Sequence, residues 1–166
     1  LYSQPPTSKS QPMKPVVGEL APDFEAVVVD GNGERTVRLA DLRGRKVVLV
    51  FYPKDSTPGC TIQACALRDG WDEVRDKAEI FGVSADGVKS HRKFIEKREL
   101  PYPLIADEDR KICEAYGVWT LKSFMGKKFM GIERSTFVIG EDGRISAVLE
   151  KVSPPKHLGL LVEALA

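Results

Sequence analysis

Lys46-Val47-Val48-Leu49-Val50-Phe51, followed after Tyr52 by Pro53-Lys54-Asp55-Ser56-Thr57-Pro58-Gly59-Cys60-Thr61-Ile62-Gln63-Ala64-Cys65, is the stretch on which the fold turns. Its first part is an apolar, β-branched run that reads as a buried strand. Pro53 and the Pro58-Gly59 pair punctuate a loop. From Cys60 the residues Thr-Ile-Gln-Ala-Cys-Ala-Leu-Arg-Asp favour a helix, expected to continue to about residue 77. Strand, turn and helix start together place Cys60 in the first helical turn.

That position matters because the first backbone N–H groups of a helix lack internal partners and carry the positive end of its dipole. A thiol placed there ionises more readily, and the thiolate is the nucleophilic form. The competing reading makes Cys60 a small buried hydrophobe, the common fate of a free cysteine. The coincidence of strand, turn and helix start favours the nucleophile.

Cys65 follows at a spacing with its own consequence. Residues five apart on an intact helix are separated by about 7.5 Å of rise and roughly 140° of rotation, or about 8.6 Å between Cα atoms. A disulfide needs Cα atoms within about 7 Å, so Cys60 and Cys65 can pair only if the first turn unwinds. The spacing argues against a static structural disulfide and allows a transient one. It also departs from the Cys-x-x-Cys of thioredoxin-type redox pairs, and two cysteines without a nearby His or Cys pair do not complete a zinc site.

Pro53-x-x-x-Thr57-x-x-Cys60 resembles the active-site signature of peroxiredoxins. The Cys60-x-x-x-x-Cys65 pair and Gly131-Ile132-Glu133-Arg134-Ser135-Thr136-Phe137 resemble the peroxiredoxin Q branch, also called bacterioferritin comigratory protein. The likeness runs from about Gly18 to the C-terminus. It implies a thioredoxin-like fold and a thiol-dependent peroxidase that reduces hydrogen peroxide and organic hydroperoxides. In that scheme Cys60 is the peroxidatic cysteine and Cys65 the resolving one. Thioredoxin or a similar dithiol would return their disulfide to the reduced state. Ser56 departs from the family, which often carries a bulkier residue there, and could alter peroxide preference or the ease of unwinding.

The rest of the chain agrees with one α/β domain. Its 166 residues can bury a core without disulfide staples. Lys and Arg number 25 against 24 Asp and Glu, which gives no electrostatic case for nucleic acid or an anionic membrane. Three cysteines suit a reducing compartment, and no apolar run is long enough to span a bilayer, so a soluble cytoplasmic protein is expected. Residues 1–14, rich in Ser, Pro, Gln and Lys, read as a flexible extension without a signal-peptide core, and residues 15–166 as the domain. Met13 reads as the natural start, with the preceding residues either added artificially or left by processing. Residues 23–29 and 36–39 flank Gly31-Asn32-Gly33 as an N-terminal β-hairpin. Further strands are expected at 79–83, 104–105, 134–139 and 145–152, and helices at 88–98, 107–116 and 157–165. Strands alternating with helices, then a hairpin and a helix, describe a mixed sheet flanked by helices.

Several side chains are candidates for the chemistry. Arg134 opens an apolar strand and offers a planar, permanently charged fork; by resemblance it is the catalytic arginine, and otherwise an edge-strand ion pair. Thr57 could donate or accept through its hydroxyl. Pro53, without an N–H, would shape the pocket wall and shield a sulfenic acid. Cys65 is either the resolving thiol or packing, and Cys113 reads as packing. His91 and His157 match no ligand spacing and read as surface or helix-end residues; no metal or cofactor is implied. Trp119, Phe124, Met125, Phe129 and Met130 either roof the site and meet a reductant or pack as an ordinary loop. Branch resemblance favours a monomer. A thioredoxin-type disulfide reductase, and a non-enzymatic redox sensor or chaperone, stand as alternative functions.

Overall fold

The computed structural model describes residues 13–166. Seven strands form one mixed sheet in the order β2-β1-β5-β4-β3-β8-β9, and β6 and β7 make a separate pair. The expected central strand is β3 (Val47–Phe51), every residue of which is buried. It pairs in parallel with β4 (Glu79–Ser84), which pairs in parallel with β5 (Leu104–Ala106). A strand buried on both faces reads as an unbroken apolar run for this reason. Alternate residues feed two cores. Val48 and Val50 point to one, and Val47, Leu49 and Phe51 to the other.

The N-terminal hairpin is β1 (Glu25–Asp30) and β2 (Gly33–Arg38), joined by the two residues Gly31 and Asn32. Helices α1 (Pro58–Asp69), α2 (Val88–Arg98) and α4 (His157–Leu165) supply Leu67, Phe94 and Leu161 to the first core. The short α3 (Lys111–Ala115) supplies Ile112 and Cys113 to the second. β8 (Ser135–Ile139) runs antiparallel to β3, and β9 (Ile145–Glu150) closes the edge beyond it. This is the thioredoxin-like arrangement with its N-terminal hairpin.

Three expectations are corrected. The Cys60 helix ends at Asp69 rather than near residue 77. Gly70 caps its end, and a Cβ there would collide with the Leu158 side chain of α4, so glycine is the residue that fits where the helix stops. The helix expected at 107–116 is confined to α3, because Arg110 sits at φ 62° and the Asp107 carboxylate receives the N–H groups of Ile112 and Cys113 at 3.1 and 2.8 Å. The stretch before Arg134 is no loop but a hairpin of β6 (Trp119–Phe124) and β7 (Lys127–Ile132), turned by Met125 and Gly126 at φ 51° and 81°.

The proposed extension, residues 1–14, lies largely outside the described residues. Within its last two positions, Lys14 pairs with Glu133 and Glu150, and Gly117 leaves room for the Met13–Lys14 backbone.

Candidate active site

Thr57 is the N-cap of α1, in extended conformation, and Pro58 takes the first helical position, where its missing N–H costs nothing. Cys60 is therefore the third helical residue, and it is 2 % exposed. No side chain caps this end and the first turn holds no acidic residue, so its positive end faces the sulfur uncompensated. The Thr57 hydroxyl donates to the Lys54 carbonyl at 2.8 Å. Its proton is thereby committed, and its oxygen is left to accept.

Arg134 reaches the site through sheet register. Phe51, the last residue of β3, lies opposite Ser135, the first of β8. Arg134, one residue earlier, thus stands where β3 ends and the Cys60 loop begins. Its Nη2 lies 3.5 Å from Cys60 Sγ, and its Nη1 donates to Gln63 Oε1. Gly59 permits the approach, because a Cβ there would lie 3.2 Å from Nη2. Gln63, one turn beyond Cys60 and 3 % exposed, was not anticipated as a site residue. The i, i+3 spacing puts it on the same helix face. Its Nε2 is buried without a partner.

Of the other expected residues, Pro53 is half-buried in the turn after β3, and Cys65 is a half-buried free thiol on the same unbroken helix as Cys60. Cys113 is fully buried, and burial together with Asp107 pushes its thiol well up, as the packing reading requires.

The surface reading of the histidines is corrected, since His91 and His157 are 0 % and 1 % exposed. His157 does open α4, and its Nε2 lies 2.8 Å from Thr136 Oγ1. Burial and, behind it, the Arg134 charge lower its pKa to about 4. His91 Nε2 faces the Ile105 carbonyl at 2.9 Å and Nδ1 the Asp55 carboxylate at 2.7 Å. Ligand atoms of Asp55, Asp86 and His91 lie within 4.8 Å of one another, but those of Asp55 and His91 are engaged with each other.

An open groove beside Arg134 is lined by Thr120, Leu121, Lys122, Lys151 and Val152. The Lys122 stem lies across Gly131, where a Cβ would be 3.0 Å from its Cδ, and burial and then Arg134 lower the ammonium's pKa. Leu121, Phe124, Met125, Phe129 and Met130 are exposed on the hairpin.

Comparison with known proteins places this geometry. The AhpC/TSA family model matches residues 17–148. A putative peroxiredoxin bcp of Coxiella burnetii is 46% identical over 147 residues, 88% of this chain and 95% of the relative. Peroxiredoxin Bcp of Bacillus subtilis is 44% identical over 150 residues, 90% of this chain and 94% of the relative. Among solved structures, Xanthomonas campestris peroxiredoxin Q superposes with a TM-score of 0.78 at 36% identity, covering 86% of this chain and 89% of that one. Sequence, fold and the Cys60–Arg134 contact agree, and the chain belongs to the AhpC/TSA family of peroxiredoxins, alongside the peroxiredoxin Q (Bcp) proteins.

Proposed function

We propose that this chain is a thiol peroxidase of the two-cysteine kind, acting on hydrogen peroxide and organic hydroperoxides. The observation that carries the reading is the Cys60 sulfur in the first turn of α1, 3.5 Å from a guanidinium nitrogen. The Cys60 thiolate attacks one peroxide oxygen, the O–O bond breaks, and the other oxygen leaves as hydroxide or alkoxide, taking a proton to become water or an alcohol. Sulfur loses two electrons and becomes a sulfenic acid. Arg134 and the free N–H groups of the helix start face the charge as it moves onto oxygen. The Thr57 oxygen, with its own proton committed to Lys54, is an acceptor for the peroxide O–H. Leu121 and Val152 beside the groove offer apolar contact to an alkyl group. A solved relative, the Xanthomonas campestris bacterioferritin comigratory protein, is described for alkyl peroxide reduction.

Cys65 then attacks the sulfenic sulfur, expelling water and leaving a Cys60–Cys65 disulfide. With α1 continuous from Pro58 to Asp69, this step requires the first turn to unwind. Thioredoxin or a similar dithiol takes the oxidation in turn, restoring both thiols. We place the enzyme in the cytoplasm as a monomer; no helix of the described residues is long and apolar enough to cross a membrane.

The test is intact mass with peptide mapping after one equivalent of hydrogen peroxide. Wild type should lose two hydrogens with Cys60 linked to Cys65, and Cys65→Ser should retain a sulfenic acid on Cys60. A Cys60–Cys113 link, or a sulfenic acid persisting in wild type, overturns the role of Cys65. Sustained peroxide consumption with a dithiol separates an enzyme from a redox sensor or chaperone, which would react once and stop.

A further inference from the structure

Asp55 lies in the loop that leads into α1, five residues before Cys60, and is 6 % exposed. Its carboxylate is held from three directions: Tyr52 O–H donates to Oδ1 at 2.5 Å, and Ser90 O–H and His91 Nδ1 meet Oδ2 at 2.8 and 2.7 Å. Its backbone N–H donates to Asp86 Oδ2 at 2.8 Å, and the Ser84 hydroxyl donates to the same oxygen at 2.6 Å. The Ile105 carbonyl only accepts, so the Nε2 facing it carries hydrogen. The Tyr52 hydroxyl is held well above its ordinary range by burial and by Asp55. The cluster thus ties the loop to Tyr52 just after β3, to the end of β4, to α2 and, through Ile105, to β5.

Immediately downstream the restraints change. Ser56 is exposed and left-handed at φ 64°, a conformation that strains an ordinary L-residue. Thr57 makes no capping bond to α1, and the first turn has no acidic side chain. The anchors on the loop's carboxylate thus fall upstream of Ser56, whereas downstream the ties are the Thr57 hydroxyl back to the Lys54 carbonyl and the Arg134 contacts with Cys60 and Gln63.

We propose that Asp55 and His91 are positioning residues that clamp the upstream end of the Cys60 segment, so that unwinding of α1 hinges at Ser56 and goes no further. This rests on the Cys60–Cys65 mechanism above. The clamp keeps Thr57 and Cys60 returning to Arg134 in the reduced enzyme, and it holds back the opening that Cys65 needs. Releasing it therefore acts on the two chemical steps with opposite sign. Sulfenic acid formation slows because the folded site is occupied less often. Disulfide formation quickens because the open segment is reached more often.

The test measures both steps in single turnovers with hydrogen peroxide, sulfenic acid formation in a Cys65→Ser background and disulfide formation with Cys65 present. His91→Leu, which leaves the carboxylate buried without its partner, should slow the first about tenfold and speed the second about tenfold. His91→Asn, which keeps an amide donor near the Nδ1 position, should recover much of both changes. Ser90→Ala removes one donor and leaves the Asp55–His91 hydrogen bond in place, and should shift both rates the same ways by a smaller factor even if His91→Leu does not fold. Unchanged rates, or two rates slowed together in step with lost thermal stability, overturn the clamp and leave the two-cysteine mechanism standing. Failure of wild type to form a Cys60–Cys65 disulfide overturns the mechanism itself.

Discussion

Cys60 and Cys113 are both buried free thiols, 2 % and 0 % exposed, and burial alone would make them alike. Their neighbours differ in sign. Cys60 lies at a positive helix end with Arg134 Nη2 at 3.5 Å. Cys113 lies beside Asp107, which accepts its backbone N–H at 2.8 Å and whose charge adds to burial in holding the thiol protonated. A buried sulfur becomes a nucleophile when the site is organised for the anion and remains packing when it is organised against it.

The largest effect expected is at this contrast. Cys60→Ser should abolish peroxide turnover, while Cys113→Ala should leave the rate constant for peroxide within about twofold of wild type, because its thiol is kept protonated. Iodoacetamide at neutral pH should label Cys60 in the folded protein and reach Cys113 only after unfolding. Labelling in the reverse order would break the comparison. Next comes Arg134→Met, which removes the cation but keeps the stem. A fall of about 10²–10³-fold in the rate constant with peroxide is expected, the range for losing one preorganised donor to developing charge. Stopped-flow kinetics decides it; a change below about threefold would mean that the helix end alone organises the site.

Arg134 also faces a group it disfavours. His157 is buried, and its pKa is lowered from 6.5 to about 4 by burial and then by Arg134. The unfolded chain therefore binds a proton near pH 6.5 that the folded chain refuses until about pH 4. Stability contributed by the neutral imidazole is full above pH 6.5 and lost as pH falls through that window, by about 3 kcal/mol in all. Urea unfolding of wild type and His157→Gln between pH 7 and pH 4 should show a steeper acid loss in wild type. Parallel curves would remove His157 from the account.

What the sequence made legible follows the range of the interactions. The β3–loop–α1 unit could be read because strand, Pro-Gly turn and helix start are local signals, and they carried Cys60 to its place. Arg134 was legible mainly through family resemblance, since its approach depends on Phe51 pairing with Ser135 across the sheet. His91 and His157 were misread because a lone histidine's burial depends on partners 36 and 21 residues away. The β6–β7 hairpin escaped notice because its strands carry exposed residues on both faces, so no clean alternation marks them, and its turn uses Met125-Gly126 rather than Asn-Gly.

Gln63 gives the smallest and sharpest test of the contrast, since it touches the cation rather than the sulfur. Its Oε1 accepts from Arg134 Nη1, which leaves Nη2 directed at Cys60. Gln63→Ala removes that hold, and a guanidinium free to rotate spends less time on the sulfur. Losing one hydrogen bond to a charged group is worth about 1.5–3 kcal/mol, so a decrease of about tenfold in the peroxide rate constant is expected. Gln63→Glu keeps the acceptor but brings a carboxylate to the face shared with Cys60, giving that sulfur the kind of neighbour Cys113 has. If charge sign is what separates the two cysteines, Glu should slow the reaction at least as much as Ala although it holds Arg134 more tightly. If orientation of Arg134 is what matters, Glu should react faster than Ala, and the two variants measured side by side decide between field and geometry.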